Sequence, residues 1–240
     1  MMNIYAVKVP KELSNYEFQC YLNEISKEKR EKVMRYVRQE DAIRSLFGEL
    51  LIRAVIKRER GIANDLLHFS YNEYGKPYLS GELDFHFNIS HSGSWVVCAT
   101  DNKPIGIDIE LIKTIDLEIA QRFFTKEEYR YITSQRDYNR LACFYDFWTL
   151  KESFVKAIGK GLIVPLNSFS INITTNRKFI LKCNITFGSF WLNQYEIDPK
   201  YKLSVCSMHE NFPSEVIQIL YSDLVAHSLV SKICEYGKDE

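Results

Sequence analysis

Ile105, Ile107 and Ile109 alternate with Gly106, Asp108 and Glu110. That period of two predicts a strand with one apolar face and two carboxylates held together on the other. A helical period runs through 148–156, where Trp148, Glu152 and Lys156 fall at i, i+4 and i+8 on one stripe. Helices are also predicted over 26–38 and over 40–60, the latter stopping near Gly61. A strand begins at Phe69-Ser70-Tyr71, and further strands are predicted near 85–89, 94–100 and 104–110. Turn-rich Ser90-His91-Ser92-Gly93 and Asp101-Asn102-Lys103-Pro104 separate them. The second half predicts helices near 117–123, 125–134 and 138–158, then strands near 167–173, 178–184, 191–197 and 202–208. Helices followed by antiparallel strands give an α+β fold class.

The halves also echo one another. Phe47, Leu50, Val55, Gly61, Leu66, Phe69, Ser70 and Asn72 recur, 100 residues on, as Phe147, Leu150, Val155, Gly161, Leu166, Phe169, Ser170 and Asn172. Ser26-Lys27-Glu28 is matched more loosely by Thr125-Lys126-Glu127, each a helix start. Two similar subdomains, 1–110 and 111–224, with a tail over 225–240, follow from this pattern. Packed as a pseudo-dimer, they place a cleft and the active site at their seam. At that shift Glu152 and Lys156 stand where the first copy has Ile52 and Ile56, an exchange of apolar residues for charges that need partners.

Composition narrows the class without choosing within it. The 240 residues carry 31 Lys+Arg against 31 Asp+Glu, a balance that argues against nucleic-acid binding driven by bulk charge. No apolar run reaches membrane-spanning length, and the N-terminus lacks a signal-peptide pattern, so a cytoplasmic protein without membrane contact is expected. Cys20, Cys98, Cys143, Cys183, Cys206 and Cys234 show no Cys-X-X-Cys spacing and are expected to be reduced.

Three hard oxygen donors, Asp108, Glu110 and Glu152, suit Mg²⁺, which keeps some of its waters and bridges to substrate phosphates. A phosphate ester or pyrophosphate substrate is implied. The simpler readings are an amphipathic strand with its wet face outward, and a surface Glu152–Lys156 ion pair.

Tyr74-Gly75-Lys76-Pro77, Phe87-Asn88-Ile89-Ser90-His91-Ser92, Gly106-Ile107-Asp108-Ile109-Glu110, Phe123-Phe124-Thr125-Lys126-Glu127-Glu128 and Trp148-Thr149-Leu150-Lys151-Glu152-Ser153-Phe154-Val155-Lys156 occur in one order and spacing. In these segments the chain resembles the Sfp-type 4′-phosphopantetheinyl transferases, from its N-terminus to about residue 224. The resemblance implies a monomeric pseudo-dimer. It also implies transfer of the phosphopantetheine arm of coenzyme A to a serine of an acyl or peptidyl carrier protein, with release of adenosine 3′,5′-bisphosphate. Carriers of nonribosomal peptide, polyketide or fatty acid synthesis are the partners it suggests.

By the same resemblance Asp108, Glu110 and Glu152 hold Mg²⁺, Glu152 serves as base, and Lys156 contacts phosphate. Ser90 and His91 bind the coenzyme, with His91 near its 3′-phosphate. Lys29, Lys32, Arg44 and Ser45 surround that phosphate, and Lys76 makes a nucleotide-side contact. Glu128 matches a functionally important acid whose role is open. Gly159-Lys160-Gly161, with Leu162-Ile163-Val164-Pro165, resembles a carrier-contacting loop, although a helix cap leading into a buried strand fits equally well. Lys113, Thr114, Leu117 and Phe124 are further candidates for that surface. The alternatives are another Mg²⁺-dependent pyrophosphate-cleaving enzyme on this fold, or an inactive carrier-binding module.

Overall fold

A computed structural model describes residues 1–174, 178–183 and 188–224; the expected tail over 225–240 lies outside the described residues. The fold is α+β and repeats itself. β1 (Asn3–Lys8) leads into α1 (Asn15–Leu22), α2 (Lys27–Met34) and α3 (Gln39–Arg60). The short pair β2 (Phe69–Tyr71) and β3 (Pro77–Leu79) follows, then the hairpin β4 (His86–Ser92) and β5 (Trp95–Asp101). The second half runs through the same order: β6 (Ile105–Leu111), α4 (Glu118–Phe123), α5 (Lys126–Ser134), α6 (Asp137–Ile158), β7 (Ser170–Ile173), β8 (Phe179–Lys182), β9 (Trp191–Tyr195) and β10 (Tyr201–Ser207). β11 (Ile217–Ile219) then returns to pair parallel with β1.

The strands form two main sheets, β11-β1-β5-β4 and β6-β10-β9. Ile4, Ala6, Val97 and Ala99 of the first pack face to face with Ile105, Ile107, Ile109, Leu203 and Val205 of the second. Opposite faces of the same strands turn outward: Tyr5, Val7, Val96 and Cys98 pack with the first three helices, and Cys206 with the helices of the second half. Asp108 and Glu110 are therefore not on a wet face. They lie on the side of β6 that α6 covers, and Asp108 is 3% exposed.

The structure corrects the register of the repeat. α3 and α6 both span 22 residues and end on a left-handed glycine, Gly61 at φ 70° and Gly159 at φ 69°. The helices are thus 98 residues apart, although Phe69 and Phe169 keep the 100-residue spacing; Gly161 opens a 3-10 turn instead. Arg53 and Lys151 become counterparts, each a buried cation over a phenylalanine ring, Phe69 at 5.4 Å and Phe169 at 4.2 Å. Glu152 and Lys156 then stand where Ala54 and Arg58 do, not Ile52 and Ile56. A slip of two residues turns a helical side chain by roughly 200°, so an ungapped comparison matched opposite faces.

Ser90, His91 and Ser92, expected in a turn, are strand residues of β4, with the reversal at Gly93-Ser94. Glu128 is a buried structural acid: it pairs with Lys151 Nζ at 2.9 Å and accepts the N–H groups of Thr125 and Ile171. Lys151 also donates to the carbonyls of Leu166 and Phe169. Cys20, Cys98, Cys143 and Cys206 are free thiols, and no helix among the described residues is long and apolar enough to cross a membrane.

α6 lies close over β6 at Gly106, where an added Cβ would clash with Ser153 O and Ala157 N. Both contacts are backbone and cannot rotate away. Gly106→Ala is expected to lower the unfolding free energy by about 3 kcal/mol or more, measured by urea denaturation; an unchanged midpoint contradicts the packing.

Candidate active site

β4 and β6 are the facing edges of the two sheets, and no backbone ladder joins them. Side chains make the joint instead. Ile107 N–H donates to Asn88 Oδ1 (2.9 Å), Ile109 N–H to Ser90 Oγ (3.3 Å) and Leu111 N–H to Ser92 Oγ (3.0 Å). Every second residue of β4 thus supplies the acceptor that a neighbouring strand would offer. The same hydroxyls donate onward to the acids, Ser90 Oγ to Asp108 Oδ1 at 2.9 Å and Ser92 Oγ to Glu110 Oε2 at 2.8 Å.

From above, α6 lowers Lys156 onto this row. Its Nζ lies 2.5 Å from Asp108 Oδ1 and 3.0 Å from Ser90 Oγ. Glu152, one turn earlier, lines the same cleft of about 330 Å³ with Ser90, His91, Asp108, Glu110, Trp148 and Lys156. The structure thus brings Asp108, Glu110, Glu152 and Lys156, expected from the sequence to share a site, into one cleft.

The acids carry the mark of crowding. Burial raises the Asp108 carboxyl, with Lys156 and Ser90 pulling the other way. Glu110 is pushed up to about 6, by burial first and then by the Asp108 charge. Glu152 is raised by burial and by Asp108, against the pull of Lys156. Asp108 Oδ2 is buried with no hydrogen-bond partner, a costly state that a cation would relieve. The donor set thus fits Mg²⁺ in kind: hard oxygens, mutual repulsion and one orphaned lone-pair site. Among the described residues, no three acidic, histidine or cysteine side chains are already drawn together as a metal shell.

A second cleft, about 510 Å³, adjoins the first through His91 and is lined by Lys11, Arg38, Arg44, Ser92 and Lys113 among others. His91 is exposed at the junction. Burial of its ring atoms and the nearby cations Arg44, Lys156 and Lys29 hold its pKa below the usual imidazole range. Arg44 donates to Gly93 O at 2.9 Å and pairs with Asp41. Lys29 is partly buried, and burial lowers its pKa.

Four expected coenzyme residues, Lys29, Lys32, Ser45 and Lys76, line neither cleft. Lys32 sits over the Tyr71 ring at 5.0 Å, Ser45 is buried in α3, and the Lys76 ammonium is held by three backbone carbonyls. Sequence reasoning passed over Asn88 and Ser92 as anchors, and Lys11 and Arg38 as cleft residues. A signal existed for the first two, since Asn88, Ser90 and Ser92 are polar at every second position of a strand otherwise carrying Phe87 and Ile89.

A crowded acid row lies beside a cleft lined by Lys11, Arg38, Arg44 and Lys113, in a duplicated α+β fold. Residues 104–206 match the 4′-phosphopantetheinyl transferase superfamily, and residues 12–103 match the 4′-phosphopantetheinyl transferase, N-terminal family. The chain belongs to the 4′-phosphopantetheinyl transferases, and within them to the Sfp type. It is 42% identical over 224 residues to the 4′-phosphopantetheinyl transferase Sfp of Bacillus subtilis (strain 168), covering 93% of this chain and 100% of that one. To the 4′-phosphopantetheinyl transferase gsp of Aneurinibacillus migulanus it is 43% identical over 208 residues, 87% of this chain and 86% of the other. Among solved structures, the Thermotoga maritima holo-[acyl-carrier-protein] synthase aligns over 45% of this chain and 64% of its own, at TM-score 0.39 and 20% identity.

Two measurements test the site. Because Glu110 is raised above its ordinary value, the folded state binds its proton more tightly than the unfolded chain. Stability without divalent cations is therefore full below the ordinary glutamate range and is lost as pH rises through about 6, by up to about 2 kcal/mol. Urea denaturation from pH 4 to 7 checks the slope, which Glu110→Gln should flatten. Separately, Ser92→Ala leaves Leu111 N–H without its acceptor and should cost about 1–3 kcal/mol; no loss of stability argues that the seam is held by packing alone.

Proposed function

We propose that this protein transfers the 4′-phosphopantetheine arm of coenzyme A to a serine of an apo carrier protein in a Mg²⁺-dependent reaction, releasing adenosine 3′,5′-bisphosphate. The observation that carries this reading is the meeting of Asp108, Glu110, Glu152 and Lys156 in one cleft that opens through His91 into a basic one. Halves 1–110 and 111–224 act as one monomeric unit with the reaction at their seam.

In the transfer, the carrier serine oxygen bonds to the β-phosphorus of the pyrophosphate as that phosphorus parts from the oxygen leading to the bisphosphate. Asp108, Glu110 and Glu152 would hold Mg²⁺, whose chemistry when bound is to neutralise the non-bridging oxygens of the diphosphate. Glu152 is the base, directly or through a metal-bound water, because it lines the cleft beside both the other acids and Lys156. Lys156, on a flexible stem, stabilises charge on the departing bisphosphate. Arg44, Lys29 and His91 supply positive charge for the 3′-phosphate. Lys11 and Arg38 extend that surface.

The carrier is expected to meet the rim near Lys113, Thr114 and Leu117, and Ile163, exposed in the loop after α6, is a further candidate contact. Phe124 is not available for this, being buried against Phe144 and Trp148.

Mass spectrometry of an apo carrier domain incubated with coenzyme A, Mg²⁺ and the protein should show one added phosphopantetheine on a serine. No gain across several carriers overturns the reading, and bisphosphate release without any carrier would make the protein a hydrolase. Asp108→Ala and Glu152→Ala are expected to cut kcat/KM by several kcal/mol of transition-state stabilisation. Lys156→Ala should lower kcat more than it weakens coenzyme binding; equal losses contradict its leaving-group role. Because His91 is held below the usual imidazole range in the free protein, a phosphate beside it should raise its pKa and draw in a proton. Coenzyme affinity by calorimetry should therefore strengthen as pH falls toward 6, and this slope should vanish in His91→Ala.

A further inference from the structure

The last carbonyls of any helix lack intrahelical partners and form the negative end of its dipole. In α6 they are met from the other half of the molecule. The turn between β2 and β3 folds on itself, Asn72 Oδ1 accepting the N–H groups of Tyr74 and Lys76 at 2.9 and 2.8 Å. From that turn Asn72 Nδ2 donates to Gly159 O at 2.9 Å, and Lys76 Nζ donates to Lys156 O at 2.6 Å and Ala157 O at 3.3 Å. The same ammonium donates to Ile105 O of β6 at 2.9 Å. The fit is close: a Cβ on Gly159 would lie 3.0 Å from Lys76 Cδ and 3.3 Å from Asn72 Nδ2.

One cation therefore ties the end of the helix that carries Glu152 and Lys156 to the start of the strand that carries Asp108 and Glu110. We propose that Lys76 is a positioning residue, whose ammonium, seated by Asn72, sets α6 at the height over β6 from which Lys156 reaches Asp108. Its ammonium is spent on these carbonyls rather than held free for the nucleotide-side contact that the resemblance implied. Burial lowers its pKa to about 8, so it remains largely charged at neutral pH.

The inference rests on the transferase reading, and its test separates the two. Lys76→Met keeps the stem and removes the ammonium. It should lower kcat roughly 10- to 100-fold, as small misplacements of reacting groups do, while KM for coenzyme A stays within about twofold. Lys76→Arg, which keeps the charge, should recover part of kcat. A nucleotide contact would do the reverse, raising KM about tenfold or more at near-normal kcat, and that result overturns the proposal. Amide hydrogen exchange over 154–159 should speed up in Lys76→Met while α3 stays protected; unchanged exchange also overturns it, whether or not the wild type transfers anything. Should Lys76→Met fail to fold, Asn72→Asp decides. It keeps the acceptor that shapes the turn but loses the donor to Gly159, and it should show the same kcat loss and faster exchange at the end of α6; neither change would sink the idea.

Discussion

The hydroxyls of Ser90 and Ser92 do two jobs that cannot be separated. Each accepts an N–H of β6, replacing the strand that the sheet edge lacks, and each donates to the carboxylate one residue before that N–H. A hydroxyl can do both because it carries one donor and two lone pairs. Joining the two halves and aiming the acids are therefore one interaction. Loosening it should disturb the seam and the placing of the acids together.

The duplicated scaffold shows how a fold tolerates such a site. At the counterpart position in the first half Tyr5 takes the place of Asp108, and its hydroxyl is satisfied by Glu59 at 2.7 Å with Arg58 over the ring. Asn3 and Thr100 close the same network on Glu59. Nothing there is left unpaired by these bonds, whereas Asp108 keeps an orphaned oxygen. The buried cations Arg53 and Lys151 are alike in both halves, each bonded to the carbonyls or amide of the loop that follows its helix. Shared cations hold the architecture; the unmatched acid row is where the halves differ in chemistry.

Much of this was legible in the sequence. Ile105, Ile107 and Ile109 fixed which face of β6 carries the acids, and the 148–156 stripe placed Glu152 and Lys156 above them, because both periods are dictated by covalent geometry. The duplication was visible too, but its register was not: loops of unequal length let the helices drift by two residues against the strands. The strand character of Ser90-His91-Ser92 was hidden by turn-forming residue types that the sheet edge overrides. The bonds of Lys76 were hidden for a different reason. A lysine in a turn gives no local sign that its ammonium will reach carbonyls 29 and 80 residues away, so only the folded chain reveals that it braces the site.

What decides the account is whether Asp108, Glu110 and Glu152 together grip one divalent cation on a diphosphate. Electron paramagnetic resonance of Mn²⁺ titrated into the protein with coenzyme A measures this directly. The account predicts a single ion bound in the ternary complex, weakly held without coenzyme A, and lost in Asp108→Asn. Equal binding by Asp108→Asn, or none by the wild-type protein, would contradict it.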